Sequence, residues 1–319
     1  MPRSYPPQHC HFLACAKINL GLRILDRRPD GYHNISTVFQ TVGLGDEVDI
    51  SFWRGESQSL EFSCDRPDLD NTENLAWRAA DMALRRLDIQ ARVRVRVRKE
   101  IPTGAGLGGG SSDAATVLLA FESAILGKRV RRSTIHDIAC ELGSDVPYFL
   151  TAGTASGTGR GTDVVPVPDL PRKPVVLVLP DIEVSTAWAY RALAESREGL
   201  TPPDPESKIV GFGGSLIPFQ FGDRDVRPGS LLNDFEGVVF QRFPILGELK
   251  GKLLALGARP ALLSGSGSTV FGLFDLDELA EAAAAEVAAD GLRVKITEIV
   301  SRTDLGMQLA MDEDADGRA

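Results

Sequence analysis

Pro102-Thr-Gly-Ala-Gly-Leu-Gly-Gly-Gly-Ser-Ser112, continued by Asp113-Ala-Ala-Thr-Val-Leu-Leu-Ala120, is the stretch that decides the fold of this chain. Glycine fills five of the seven positions from 104 to 110. Such a loop can take left-handed backbone conformations and lets a ligand approach the main chain closely. The apolar run after it predicts a helix from about Ser111 to Leu126. A helix start presents unpaired N–H groups and the positive end of a dipole, so loop and helix together predict an anion site suited to a triphosphate. No Gly-Lys-Ser/Thr follows, which excludes a Walker loop. The glycine density and the lack of a following acidic residue at the expected spacing exclude a dinucleotide fingerprint. A flexible linker is the plain alternative, but Pro102 before the loop and the apolar helix after it fix both ends.

Outward from the loop, the 319 residues are ordinary in composition: 43% hydrophobic, 25% charged, net charge −9. That length suggests two domains or one large α/β unit. An acidic chain is a poor candidate for a dedicated nucleic-acid binder. No run approaches the ~18 apolar residues that span a bilayer, and the Pro-rich Met1 to Gln8 lacks the apolar core of a secretory signal, so a cytoplasmic protein is expected. The four cysteines (10, 15, 64 and 140) are scattered without a C-x-x-C pair, which predicts reduced thiols and no zinc site.

Strands are predicted over Cys15 to Ile24, Gly43 to Phe52 and Val175 to Leu179. Arg92 to Arg98 alternates arginine with valine, which puts valines on one face and arginines on the other. No aromatic residue interleaves with the arginines, so the reading is a half-buried strand with a solvated face. Helices are predicted from Asn71 or Thr72 to Leu87, over Thr134 to Leu142, Pro244 to Leu256 and Asp277 to Ala289. Thr151 to Val167 reads as a hairpin, and Ala261 to Phe274 holds a second glycine loop. Thr201 to Pro228 reads as a long loop, and residues 311–319 as a solvated acidic tail.

The loop resembles the phosphate loop of the GHMP kinases, the family of galactokinase, homoserine kinase, mevalonate kinase and phosphomevalonate kinase. Further segments carry the resemblance: Ala16 to Leu20, Arg27 to His33, Phe39-Gln40, Gly45-Asp46, Leu142 to Phe149, Asn233 to Glu236 and Leu263 to Phe271. They look like the signatures of the branch that phosphorylates the 2-hydroxyl of a cytidine-diphosphate-linked methylerythritol. The resemblance implies an α+β, two-lobed fold with an N-terminal ribosomal S5-like lobe, a C-terminal ferredoxin-like lobe and a cleft between them. The expected division is 1–170 and 171–310, followed by the tail. A different GHMP kinase, such as homoserine kinase, is the alternative enzyme. A non-catalytic sensor on the same fold is the alternative of another class.

For the site, the resemblance implies ATP and Mg²⁺ as cofactors, with Pro102, Gly104, Ala105, Gly106, Leu107, Gly108, Gly109, Gly110, Ser111 and Ser112 around the ATP phosphates. Ser112 is the protein-side guess for the metal. Asp145 is the expected base, with a turn-capping role as the plain alternative. Lys17, flanked by apolar residues, needs a partner, and Asp145 would supply it. Asn19 shares its strand face and is expected to orient the acceptor diol. Tyr32 and His33 are expected on the cytosine, with Thr186 and Tyr190 on its other side and Trp188 competing for that stack. Gly265, Ser266 and Gly267 are expected to line the cleft. The expected partner is the small-molecule substrate alone, with no nucleic acid or membrane, on a monomer or homodimer.

Overall fold

Two long strands, β1 (Gln8–Arg27) and β2 (His33–Arg54), pair antiparallel and carry the first lobe. In the computed structural model, residues 8–55, 57–124, 132–197 and 231–305 are described. The expectations for the end of the second helix, for 201–228 and for 311–319 lie outside them. The sheet is completed by β3 (Ser59–Cys64), β4 (Ala91–Arg98), β5 (Thr154–Thr158) and β6 (Asp163–Pro166), in the order β3-β4-β2-β5-β6 with β1 on β2. Only the β3–β4 pair is parallel. On the sheet pack α1 (Leu75–Arg86), α2 (Gly109–Ala124), α3 (Arg132–Leu142) and the short α4 (Val146–Thr151).

The alternating strand forms as its pattern demands. Val93, Val95 and Val97 are buried in the core under the helices. Each buried valine contributes roughly 1.5–3 kcal/mol. The arginines face out: Arg92 and Arg94 pair with Glu61 and lie 5.0 and 5.2 Å from the Trp53 ring, and Arg98 pairs with Glu47.

The second lobe is a four-stranded sheet, β10-β7-β9-β8, built from β7 (Pro174–Leu179), β8 (Ala261–Leu263), β9 (Val270–Leu273) and β10 (Arg293–Glu298). Its helices are α5 (Thr186–Ser196), α6 (Glu236–Arg242), α7 (Pro244–Ala255) and α8 (Asp277–Ala288). In chain order the lobe's strands run first, second, third, fourth, and they stand in the sheet as 4-1-3-2, which is the ferredoxin-like arrangement. The continuous apolar run of β7 is explained by burial on both faces. Val176 and Val178 join the helix side of this lobe, while Val175, Leu177 and Leu179 pack on Ala16, Ile18 and Leu20 of β1.

That packing fixes which face of β1 serves the cleft. With Ala16, Ile18 and Leu20 against the second lobe, Lys17 and Asn19 must point the other way. We place the lobe boundary between Pro166 and Pro174, where one sheet ends and the next begins. The chain crosses back after β10: Val300 donates to the Thr41 carbonyl, and the Arg302 guanidinium reaches the carbonyls of Ala152, Thr154 and Val167.

Two expected boundaries move. The first helix is capped by Asn74, whose Oδ1 accepts from Ala76 N–H, while Asn71 folds into its own turn by accepting from Glu73 N–H. The second helix begins at Gly109 rather than Ser111, because Ser112 N–H already bonds the Gly108 carbonyl at 2.9 Å.

Candidate active site

The phosphate loop is held open by backbone geometry. Gly106 and Gly108 take φ of +78° and +71°, a region that disfavours any side chain. A Cβ on Gly106 would also stand 2.0 Å from the Ser264 carbonyl oxygen. The loop is thus seated directly on the second glycine loop: Ser264 Oγ donates to the Gly106 carbonyl at 2.9 Å, and Thr269 N–H to Ala105 at 3.2 Å. At its exit, the N–H groups of Gly109, Gly110 and Ser111 have no intrahelical partner.

The loop forms a wall between two cavities. One, of about 770 Å³, is lined by Pro102, Gly104 and Ala105 on the loop and by Arg66, Asp181 and Arg293 around it. The other, of about 870 Å³, is lined by Gly106, Gly108 and Ser111 and by Lys17, Asn19, Tyr32, His33, Asp145, Thr186, Tyr190, Gly265 and Ser266. The cleft therefore brings together most of the residues picked from the sequence.

Lys17 is 3% exposed, and its Nζ lies 3.7 Å from Asp145 Oδ2. Burial pulls its ammonium below the ordinary lysine range, and the charge of Asp145 pulls it back. Nζ donates to Asn19 Oδ1 at 2.7 Å, Asn19 Nδ2 donates to Thr37 Oγ1, and Thr37 Oγ1 donates to the Gly21 carbonyl. Asn19, expected to orient the acceptor diol, lines the cavity and also orients the lysine. Asp145 sits in the turn between α3 and α4, and its side chain makes no capping bond to α4. The turn-capping alternative fails, and the half-buried carboxylate faces the lysine.

His33 stacks on Tyr190, with ring centroids 5.1 Å apart and planes at 21°. Tyr190 is fixed in turn by an edge contact with Phe235 at 4.9 Å. Burial pushes the Tyr190 phenol up to about 12. Burial and then the charges of Arg27 and Arg197 hold the His33 imidazole below its usual range, so its ring is neutral at pH 7. Trp188 packs on Phe243 and Arg242, whereas Tyr190 lines the cavity. Tyr32 is 53% exposed at the cleft rim, with the Arg160 guanidinium 4.6 Å from its ring. Thr186 Oγ1 meets Ser266 Oγ at 2.9 Å and ties α5 to the second glycine loop.

Ser112 departs from its expected role. It is 2% exposed, and its hydroxyl donates inward to the Cys15 carbonyl at 2.7 Å. The helix start at Gly109 rotates Ser112 under the loop and leaves Ser111 on the cleft side. Among the described residues no group of three or more His, Cys, Asp or Glu side chains could cage a metal. The sequence reading also passed over Thr37, Arg160 and Ser264. Arg160 lies in a hairpin turn whose Gly-Thr pattern says nothing of a cleft. Ser264 carries no local signal, because its bond to Gly106 spans 158 residues.

Comparison with known proteins identifies the family. The profile of the GHMP kinases N terminal domain matches residues 74–153, and that of the GHMP kinases C terminal region matches 225–291. A 4-diphosphocytidyl-2-C-methyl-D-erythritol kinase of Solibacter usitatus is 43% identical over 84% of this chain and 82% of its own length. The kinase of the same name from Citrifermentans bemidjiense is 42% identical over 86% and 93%. A crystal structure of 4-(cytidine 5'-diphospho)-2C-methyl-D-erythritol kinase superposes with a TM-score of 0.72 at 36% identity, covering 91% of this chain and 99% of that one. The mevalonate kinase of Methanococcus jannaschii, at 12% identity and a TM-score of 0.61, shares the fold. No described helix is long and apolar enough to cross a membrane.

Proposed function

Because this chain belongs to the 4-diphosphocytidyl-2-C-methyl-D-erythritol kinase family of the GHMP kinases, we propose that Lys17, Asp145 and the phosphate loop carry that reaction in its cleft. The reaction is ATP-dependent phosphorylation of the 2-hydroxyl of 4-diphosphocytidyl-2-C-methyl-D-erythritol, a step toward isoprenoid precursors. The observation that carries the residue assignment is the meeting, in one cavity, of a buried lysine, a carboxylate 3.7 Å from it and the open face of a glycine loop.

ATP enters by the cavity beside Pro102, Gly104 and Ala105, and its phosphates lie over the loop and the start of α2, where unpaired N–H groups receive them. The acceptor enters the other cavity, with its cytosine in the aromatic slot of Tyr32, His33 and Tyr190. The substrate oxygen attacks the γ-phosphorus, the bond to the β–γ bridging oxygen breaks, and ADP leaves. The hydroxyl proton passes to the Asp145 carboxylate. Lys17, 3.7 Å from that carboxylate, holds it in place and lends positive charge to the transferring group. Magnesium, bound with ATP, would neutralise phosphate oxygens there; among the described residues no three His, Cys, Asp or Glu side chains converge to cage it.

The direct test is turnover. The purified chain with ATP, magnesium and 4-diphosphocytidyl-2-C-methyl-D-erythritol should release ADP and the 2-phosphorylated product. No reaction with this acceptor, alongside turnover of homoserine, would overturn the reading. For the slot, Tyr190→Ala should raise KM for the acceptor by roughly 10-fold, the weight of one lost stack, and leave KM for ATP alone. Trp188→Ala should change neither, and a Trp188 effect on the acceptor KM would reverse that assignment.

A further inference from the structure

Beneath the phosphate loop lies a charge cluster that the transfer itself does not use. Lys99, Asp46 and Asp113 have side chains 4%, 0% and 1% exposed. Lys99 Nζ donates to Asp46 and, at 2.6 Å, to Asp113 Oδ2. Asp46 Oδ1 accepts the N–H groups of Glu100 at 2.6 Å and Ile101 at 2.8 Å, where the chain enters the loop. Asp113 belongs to α2, where the chain leaves it. Asp46 Oδ2 also lies 3.3 Å from the place a Cβ on Gly109 would occupy, so the cluster abuts the first residue of that helix. A single ammonium therefore ties the two ends of the loop together.

We propose that Lys99, bridging Asp46 and Asp113, is a positioning residue for ATP: it sets the separation of the loop's ends and thereby the convergence of its N–H groups on the phosphates. The inference rests on the reading of this loop as the ATP phosphate site. Two carboxylates on one ammonium leave an excess negative charge in a dry place, which is costly. Asp113 Oδ1 is buried without a hydrogen-bond partner. Burial pushes the Asp113 carboxyl up to about 7, Lys99 opposing and Asp46 adding to the shift. The Cys64 thiol, itself raised by burial, also feels Lys99 and Asp113, and Asp65 stands beside them, its Oδ1 accepting the Lys99 N–H at 3.0 Å. As pH rises through 7, Asp113 ionises and places negative charge under a loop that must hold anions, so ATP binding weakens.

Steady-state kinetics of the full chain test this. Asp113→Ala should raise KM for ATP about 10-fold, the loss of one buried charge-assisted bond, with kcat and the acceptor KM within about threefold. Asp113→Asn keeps an acceptor for Lys99 and should recover most of that loss. The wild-type ratio of KM for ATP at pH 8 to that at pH 6 should exceed the Asp113→Asn ratio by about threefold; the titration of ATP itself is common to both proteins. An unchanged KM for ATP in Asp113→Ala, an equal shift of both KM values, or the same pH ratio in the two proteins overturns the proposal. Should Asp113→Ala fail to fold, the Asn comparison decides alone. A wild-type chain inactive with ATP would instead defeat the assigned function, whereas a normal wild type beside a silent Asp113→Ala defeats only this inference.

Discussion

Asp145→Asn should lower kcat by roughly 10²–10⁴-fold, the usual weight of a positioned base, while KM for ATP moves little. Asparagine keeps the shape of aspartate but accepts no proton and carries no charge. Two effects then combine. The acceptor hydroxyl loses its proton acceptor, and Lys17 loses the carboxylate 3.7 Å away that offsets the cost of its burial. The lysine retains Asn19 Oδ1 at 2.7 Å, so it should stay in place rather than swing out. Because the carboxylate caps no helix, α4 should survive the change, and thermal unfolding should shift by no more than a few degrees. The measurement is single-turnover phosphoryl transfer with both substrates saturating. Turnover near the wild-type rate would remove the base and leave Lys17 with substrate positioning as the chemistry.

Gly106→Ala should be nearly as damaging, by a different route. The new methyl would stand 2.0 Å from the Ser264 carbonyl oxygen, and its neighbour there is backbone rather than a movable side chain. The residue also sits at φ +78°, where a Cβ costs about 1–2 kcal/mol by itself. The loop must lift off the second glycine loop, breaking the Ser264-to-Gly106 and Thr269-to-Ala105 bonds that seat it. Loss of kcat/KM for ATP of at least ~10² is expected, since misplacement by about 1 Å costs that much. Gly104→Ala provides the contrast. It too has positive φ, +68°, but meets nothing within 4 Å, so only the backbone cost applies. Equal losses in the two variants would show that conformation, not the seat on Ser264, governs the loop.

The two glycine loops show how far local reading reaches. The first announces itself by density, because a backbone that must cradle an anion cannot carry side chains. The second, Gly265-Ser266-Gly267, is short and could be any tight turn. Its meaning comes from contact with Gly106 across 158 residues of chain. Ser111 and Ser112 make the same point at the smallest scale. Two adjacent hydroxyls are equivalent in sequence, yet a helix start two residues earlier sends one into the cleft and the other to the Cys15 carbonyl.

Strand β4 stands at the legible end. Alternating valine and arginine dictates a half-buried strand wherever the chain places it, because side chains of neighbouring strand residues point to opposite faces. The long strands β1 and β2 were only half visible, since their polar stretches are held by pairing along the whole length rather than by pattern. Lys17 and Asn19 look the same in sequence as any interrupted apolar run.

The anion loop followed from the order of residues alone, because it depends on backbone freedom, whereas the fold class and the expected roles of Lys17, Asp145, Tyr32 and His33 came from the resemblance of segments scattered along the chain. Which face of β1 opens to the cleft, which of two serines and which of two aromatics line the cavity, and the Lys99 tie under the loop were decided only by tertiary packing. Those outcomes depend on side chains far apart in sequence competing for the same buried space, and no local pattern encodes that competition.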